Sequence, residues 1–154
     1  MPRFLADSEH AGTLDGSISF HGMATNTLAV SGWFKLFARS SNPDLKLMIY
    51  HVTFERDAKV YTLHGEKHVR RGPVFRAWSD TTTLRCRLHA GGDDTAPLIG
   101  TGVLRLRLAN FASQLFSFRA RNGRTMAAKA GALASFFAFF ARELLDSYGR
   151  LRRT

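Results

Sequence analysis

The chain has one cysteine, Cys86, and that scarcity excludes any intramolecular disulfide, which fits a reducing compartment. Cys86 falls inside an alternating strand pattern, where it reads as a small buried apolar residue and not a reactive thiol. No uncharged apolar run approaches the ~20 residues of a membrane span. The longest, Ala130 to Ala141, is bordered by Lys129, Arg142 and Glu143 and reads as a core helix. Residues Met1 to His10 carry acidic groups early and lack an apolar secretion core, which predicts a cytoplasmic protein. Complete catalytic or cofactor motifs are missing too: there is no Gly-x-Ser-x-Gly elbow and no phosphate loop, and Gly100-Thr101-Gly102 stops after two glycines. His64 and His68 have a helical metal spacing, but on a strand they would stand roughly 13 Å apart at about 3.3 Å per residue. The expectation is therefore no catalytic residue, no metal and no cofactor.

What the chain does have is an ordinary globular balance, 45% apolar and 22% charged over 154 residues, enough for one domain with a real core. Its net charge of +10 favours an anionic partner. The basic residues are mostly arginines spread along the chain, with short runs at Arg70-Arg71 and Arg152-Arg153, so a solvated basic surface is the simplest reading.

Period-2 patterns dominate. Residues 1–15 show no strong period and are expected to be a flexible tail, with residues 16–154 forming the single domain. Strands are expected over Ser17 to Met23, Thr27 to Arg39, Leu45 to Arg56, Lys59 to Val69, Thr81 to His89 and Leu98 to Leu108. Asn110 reads as the cap of a short helix near 111–116, followed by an extended piece to Arg121. From about Met126 to Tyr148 the period becomes helical, with Leu133, Phe136, Phe137, Phe140, Leu144 and Tyr148 on one stripe. The fold class is mainly β with one C-terminal helix: an antiparallel up-and-down meander that closes into a barrel or a strongly curled sheet, the alternative being an open antiparallel sheet with the helix across one face.

The alternation places Lys67 on the apolar side of its strand, among Tyr61, Leu63, Gly65 and Val69, where an ammonium is costly without a partner. Two readings follow. Lys67 or Arg70 pairs with Asp80 and ties a loop to the sheet. Alternatively, Lys67 holds the polar head of a lipid-like ligand in a site drawn from Trp33, Tyr50, Phe54, Tyr61, Lys67, Arg70, Asp80 and Thr82. A separate stripe of Arg85, Arg87, Arg105 and Arg107 suits a binding surface for nucleic acid or anionic membrane.

The series Met48-x-Tyr50, Phe54, Tyr61-x-Leu63-x-Gly65-x-Lys67-x-Val69-Arg70, Trp78-x-Asp80-Thr81-Thr82-Thr83-Leu84, Gly100-x-Gly102-x-Leu104, Phe111-x-x-Gln114-Leu115-x-Ser117-Phe118-Arg119 and Phe136-Phe137-x-x-Phe140 resembles a known arrangement. It is similar to the accessory β-domain found with cholesterol-oxidase-like oxidoreductases of the glucose-methanol-choline type. The resemblance covers about residues 17–148 and implies association with lipid or steroid oxidation, a lipid or steroid-like ligand, and a flavin oxidoreductase as partner. The flavin-binding part of those enzymes has no counterpart here, and Arg71-Gly72-Pro73 stands where an acidic turn is expected. The implied role is accordingly a non-catalytic accessory or hydrophobic-ligand-binding domain; a basic-surface module is the alternative.

Overall fold

A computed structural model describes residues 2–18, 28–105 and 125–148. Among these, six strands run β1 Ala11–Ile18, β2 Leu28–Arg39, β3 Leu45–Arg56, β4 Lys59–Arg70, β5 Thr83–His89 and β6 Leu98–Arg105. Three helices accompany them: α1 Pro2–Ala6, α2 Arg76–Thr82 and α3 Met126–Tyr148. Strand order follows chain order and every neighbouring pair is antiparallel. The meander expected from sequence is therefore present, but among the described residues β1 and β6 are its two ends and the sheet is open instead of closed into a barrel.

β3 and β4 form the centre, since Leu45–Arg56 and Lys59–Arg70 pair along their whole length. Their connection is two residues long, with Asp57 at φ 52° and Ala58 at φ 55°. Two successive left-handed residues give the turn whose twist matches that of the flanking strands, although Ala58 occupies a conformation that glycine would adopt without strain. In β2 the register slips between Lys35 and Ala38, and Phe37 at φ 55° is the bulge. The bulge turns Phe37 from the outer face, where plain alternation puts it, into the core with Leu36.

Two corrections concern local structure. Residues 2–15 are not a featureless tail: α1 is followed by β1, which pairs with β2 from Ala11 opposite Lys35 onward. Asp7 accepts hydrogen bonds from the Glu9 and Ala11 amides at 3.0 Å each, and Phe4 packs on Phe34, Phe136 and Phe139, which pins the segment down. Second, Thr81 and Thr82 belong to α2, and β5 starts only at Thr83. Thr81 Oγ1 donates to the Ala77 carbonyl at 2.6 Å, a bond back along the helix that satisfies its hydroxyl there. The expected pieces from Ser19 to Met23, at Leu106 to Leu108 and from Asn110 to Arg121 lie outside the described residues.

The core lies between one sheet face and α3. Leu36, Phe37, Met48, Val69 and Tyr148 are buried there, with Phe34, Tyr50, Phe136, Phe139, Phe140 and Leu144 packed against them. The helix register is thus 136, 139, 140, 144, 148, the spacing of a helical stripe. Phe137, expected to be buried, lies at the edge of this stripe and is 37% exposed, while Phe139 takes the inner position. A second cluster on the same sheet face holds Val30, Val52 and Phe54 with Leu14, Ile18, Leu28, Tyr61, Leu63 and Leu88 around them. Cys86 is buried as its position in the alternation requires.

Candidate ligand site

Period-2 geometry decides which residues can meet. The pairings Met48 with Lys67, Tyr50 with Gly65, Val52 with Leu63 and Phe54 with Tyr61 put Tyr50, Phe54, Tyr61 and Lys67 on the helix face. Trp33 pairs with His51 and stands on the opposite, outer face, so it cannot line a site with the other three aromatics. Arg70, opposite Leu45, is exposed on the outer face as well. The mixed wall expected from sequence is corrected to a single-face group of Tyr50, Phe54, Tyr61 and Lys67.

Lys67 reaches over the Tyr50 ring, its Nζ 5.3 Å from the ring centroid. Among the described residues no carboxylate comes within salt-bridge reach of it. Burial alone pushes its ammonium below the ordinary lysine value, and burial raises the Tyr50 phenol to about 12. Gly65, next to Lys67 on the neighbouring row, removes a side chain and lets Leu84 approach: a Cβ there would stand 3.0 Å from a Leu84 methyl. Phe54 and Tyr61 stack with centroids 5.6 Å apart and continue the apolar floor into the second cluster.

Asp80 does not pair with Lys67. Its Oδ2 accepts from the Tyr148 hydroxyl at 2.8 Å and from the Arg70 amide at 3.4 Å. It therefore fastens the end of α3 to the α2 segment, and burial followed by this bond raises the Tyr148 phenol strongly. Thr82 is buried at the end of α2. The tie role weighed for Asp80 is real, but its partner is a tyrosine from the far end of the chain, 68 positions away, which no local pattern could reveal.

The outer face carries a polar row that sequence spacing undervalued. Trp33 and His51 stack at 5.1 Å with planes 6° apart, and His51 meets His64 edge-on at 6.3 Å. Glu66 stands between His64 and His68 on the same side of β4 and bonds both, at 3.1 and 3.3 Å. Burial pushes the Glu66 carboxyl up, but its two histidine partners hold it below the ordinary value. The His51 imidazole is pushed down by burial and then by His64, and the Nδ1 atoms of His51 and His64 are buried without a described partner. No group of three or more potential ligands among the described residues can hold a metal ion.

A cleft of about 660 Å³ opens at the end of the sheet between α1, the β2–β3 turn and α3, lined in part by Arg39, Lys46, Arg71, Glu143 and Asp146. Its charges are largely spent within the protein, because Lys46 bridges Glu143 at 2.8 Å and Asp146 at 3.1 Å, and Arg71 reaches Asp44 at 3.3 Å. No described helix is long and apolar enough to cross a membrane. The chain matches no protein-family model, and no curated protein or solved structure is significantly similar to it.

Proposed function

We propose that this domain is a non-catalytic binding or accessory domain that holds a lipid-like molecule with an anionic head, and that it serves lipid or steroid oxidation beside a flavin oxidoreductase. The observation that carries the reading is Lys67, a half-buried ammonium on an apolar face with an aromatic ring below it and no described carboxylate to balance it. A buried charge without a counter-ion is a standing cost, and an anionic head would remove it. The tail has a floor at hand: Phe54, Tyr61, Leu63 and Leu88 continue the same face into the second cluster, and none of the described α3 phenylalanines joins that cluster. The link to oxidation rests on the sequence resemblance, whose Tyr50, Tyr61 and Lys67 converge on this face while its Asp80 anchors α3.

The test is native mass spectrometry of the protein purified from its own cells, followed by thermal shift with added fatty acids and sterol sulfates. A retained anionic lipid, lost in Lys67→Gln while the variant stays folded, is the expected result. Protein that carries nothing and does not respond to these compounds overturns the reading.

A further inference from the structure

The β5–β6 end of the sheet combines two exposures that are rare together. On β6, Leu98, Ile99, Val103 and Leu104 are 54%, 51%, 56% and 56% exposed, so most of the large aliphatics of one strand face solvent. Val103 stands on the arginine face, opposite Arg85, and Leu104 on the helix face, opposite Leu84, so the strand is apolar and exposed on both sides. Among the described residues it is an edge of the sheet, and an apolar edge strand calls for a partner. Beside these residues, Arg85 lies opposite Val103, Arg87 opposite Thr101, and Arg105 opposite Thr83. All three arginines are on the outer face and exposed, and none has a described carboxylate within salt-bridge reach. The field of Arg87 does reach Glu66, which stands opposite Arg85 on β4. Arg107, the fourth member of the stripe, lies outside the described residues.

We propose that this strand docks edge-on against an anionic lipid bilayer, with Val103 and Leu104, which project from its two faces, entering the headgroup–acyl boundary while Arg85, Arg87 and Arg105, on the Val103 face, meet lipid phosphates. Each side of the combination selects against another occupant. A single-stranded nucleic acid needs flat rings for its bases, whereas the side chains opposite these arginines are Val103, Thr101 and Thr83, none of them aromatic. The aromatic residue of the outer face, Trp33, is on β2 and already stacked on His51. A second copy docked by the same edge would set its own Arg85, Arg87 and Arg105 near these like charges. An anionic bilayer is the partner that gains from both the arginines and the aliphatics. The inference goes beyond the ligand reading and does not depend on it.

The experiment is co-sedimentation of the full chain with phosphatidylcholine vesicles and with vesicles one third phosphatidylglycerol, at low and high salt. Binding is expected only to the anionic vesicles, and it should weaken as salt rises. The double variant Arg85→Gln/Arg87→Gln should lower partitioning about 25-fold, about five-fold for each charge removed. Val103→Ser/Leu104→Ser, at exposed positions and checked for an unchanged thermal melt, should lower it about ten-fold. The proposal falls if anionic vesicles do not bind at low salt, or if Val103→Ser/Leu104→Ser binds as wild type. It also falls if a single-stranded oligonucleotide binds with full affinity to that serine variant, or if the edge proves to be covered in a stable dimer. Lys67→Gln should leave vesicle binding intact, so failure of the interior ligand reading and failure of the docking edge give different results.

Discussion

Lys67→Met is the most informative single change, because it should raise stability while removing function. The variant keeps the length and most of the volume of the side chain but deletes the ammonium. A fully buried ion costs several kcal/mol to desolvate. Lys67 is only partly covered, so the cost is smaller, and its contact with the Tyr50 ring at 5.3 Å offsets about 1 kcal/mol of it. The net gain for methionine in ligand-free protein at pH 7 is then about 1 kcal/mol, or about 3 °C in melting temperature for a domain of this size. The pH dependence carries a sign that identifies the cause. Burial holds the folded ammonium below its ordinary value, so between that lowered value and about 10.4 the unfolded chain binds more protons than the folded one. Wild-type stability contributed by this group rises with pH through that window. The advantage of Lys67→Met should therefore shrink as pH approaches about 10.4. Urea unfolding of both proteins at pH 7 and in that alkaline window measures it. A methionine variant that is less stable by 1 kcal/mol or more at pH 7 would mean that the ammonium has a counter-charge, and would refute both the energetics and the ligand argument built on them.

Ala58→Gly should stabilise the β3–β4 hairpin by about 1 kcal/mol, since φ is 55° there; thermal melts decide it, and no gain would show that the turn relaxes without penalty. Tyr148→Phe should cost about 2 kcal/mol by removing the 2.8 Å bond to a carboxylate. A cycle with Asp80→Asn tests that link, and strict additivity would rule it out. His51→Phe should flatten the acid side of the stability profile. The folded imidazole sits below its ordinary value, so the unfolded chain takes up more protons and wild type loses stability as pH falls from about 6.5 towards 5. The Glu66 contribution, from a lowered carboxyl, is lost only below about 4.3 and does not interfere. Parallel melting curves for His51→Phe and wild type over that interval would show that His51 is not responsible.

β3 and β4 were legible almost to the residue, because a two-residue turn separates them and they pair along their full length. The terminal helix was equally legible from its change of period. The failures have separate physical causes. β1 carries Gly12, Asp15 and Gly16, residues of poor strand propensity, and is held by β2 and by the Asp7 turn instead of by its own pattern. α2 hides behind a threonine triplet that favours strand, and tertiary context overrides that preference for Thr81 and Thr82. The bulge at Phe37 is invisible to any period count, because a non-glycine residue adopts the left-handed conformation there. In the site, alternation placed Lys67, Tyr50, Phe54 and Tyr61 on one face, but it also fixed Trp33 on the other. That last separation followed from register, which the chain specifies only once β2 has met β3.

The composition of α3 shows how the sheet's helix face is guarded. From Ala127 to Ser135 the helix is mostly exposed and rich in alanine, the residue that forms helix with least help from packing, and Thr125 caps its start through the Ala128 amide at 3.1 Å. From Phe136 onward packing takes over. There the helix is fastened by Lys46 to Glu143 and Asp146, by Tyr148 to Asp80, and by the Ser147 carbonyl to the Gly72 amide at 3.3 Å. Local stability follows such contacts, so the helix opens from its Met126 end while its Tyr148 end stays docked. The phenylalanines at 136, 139 and 140 stand at the boundary between the two regimes and sit on the core that includes Tyr50.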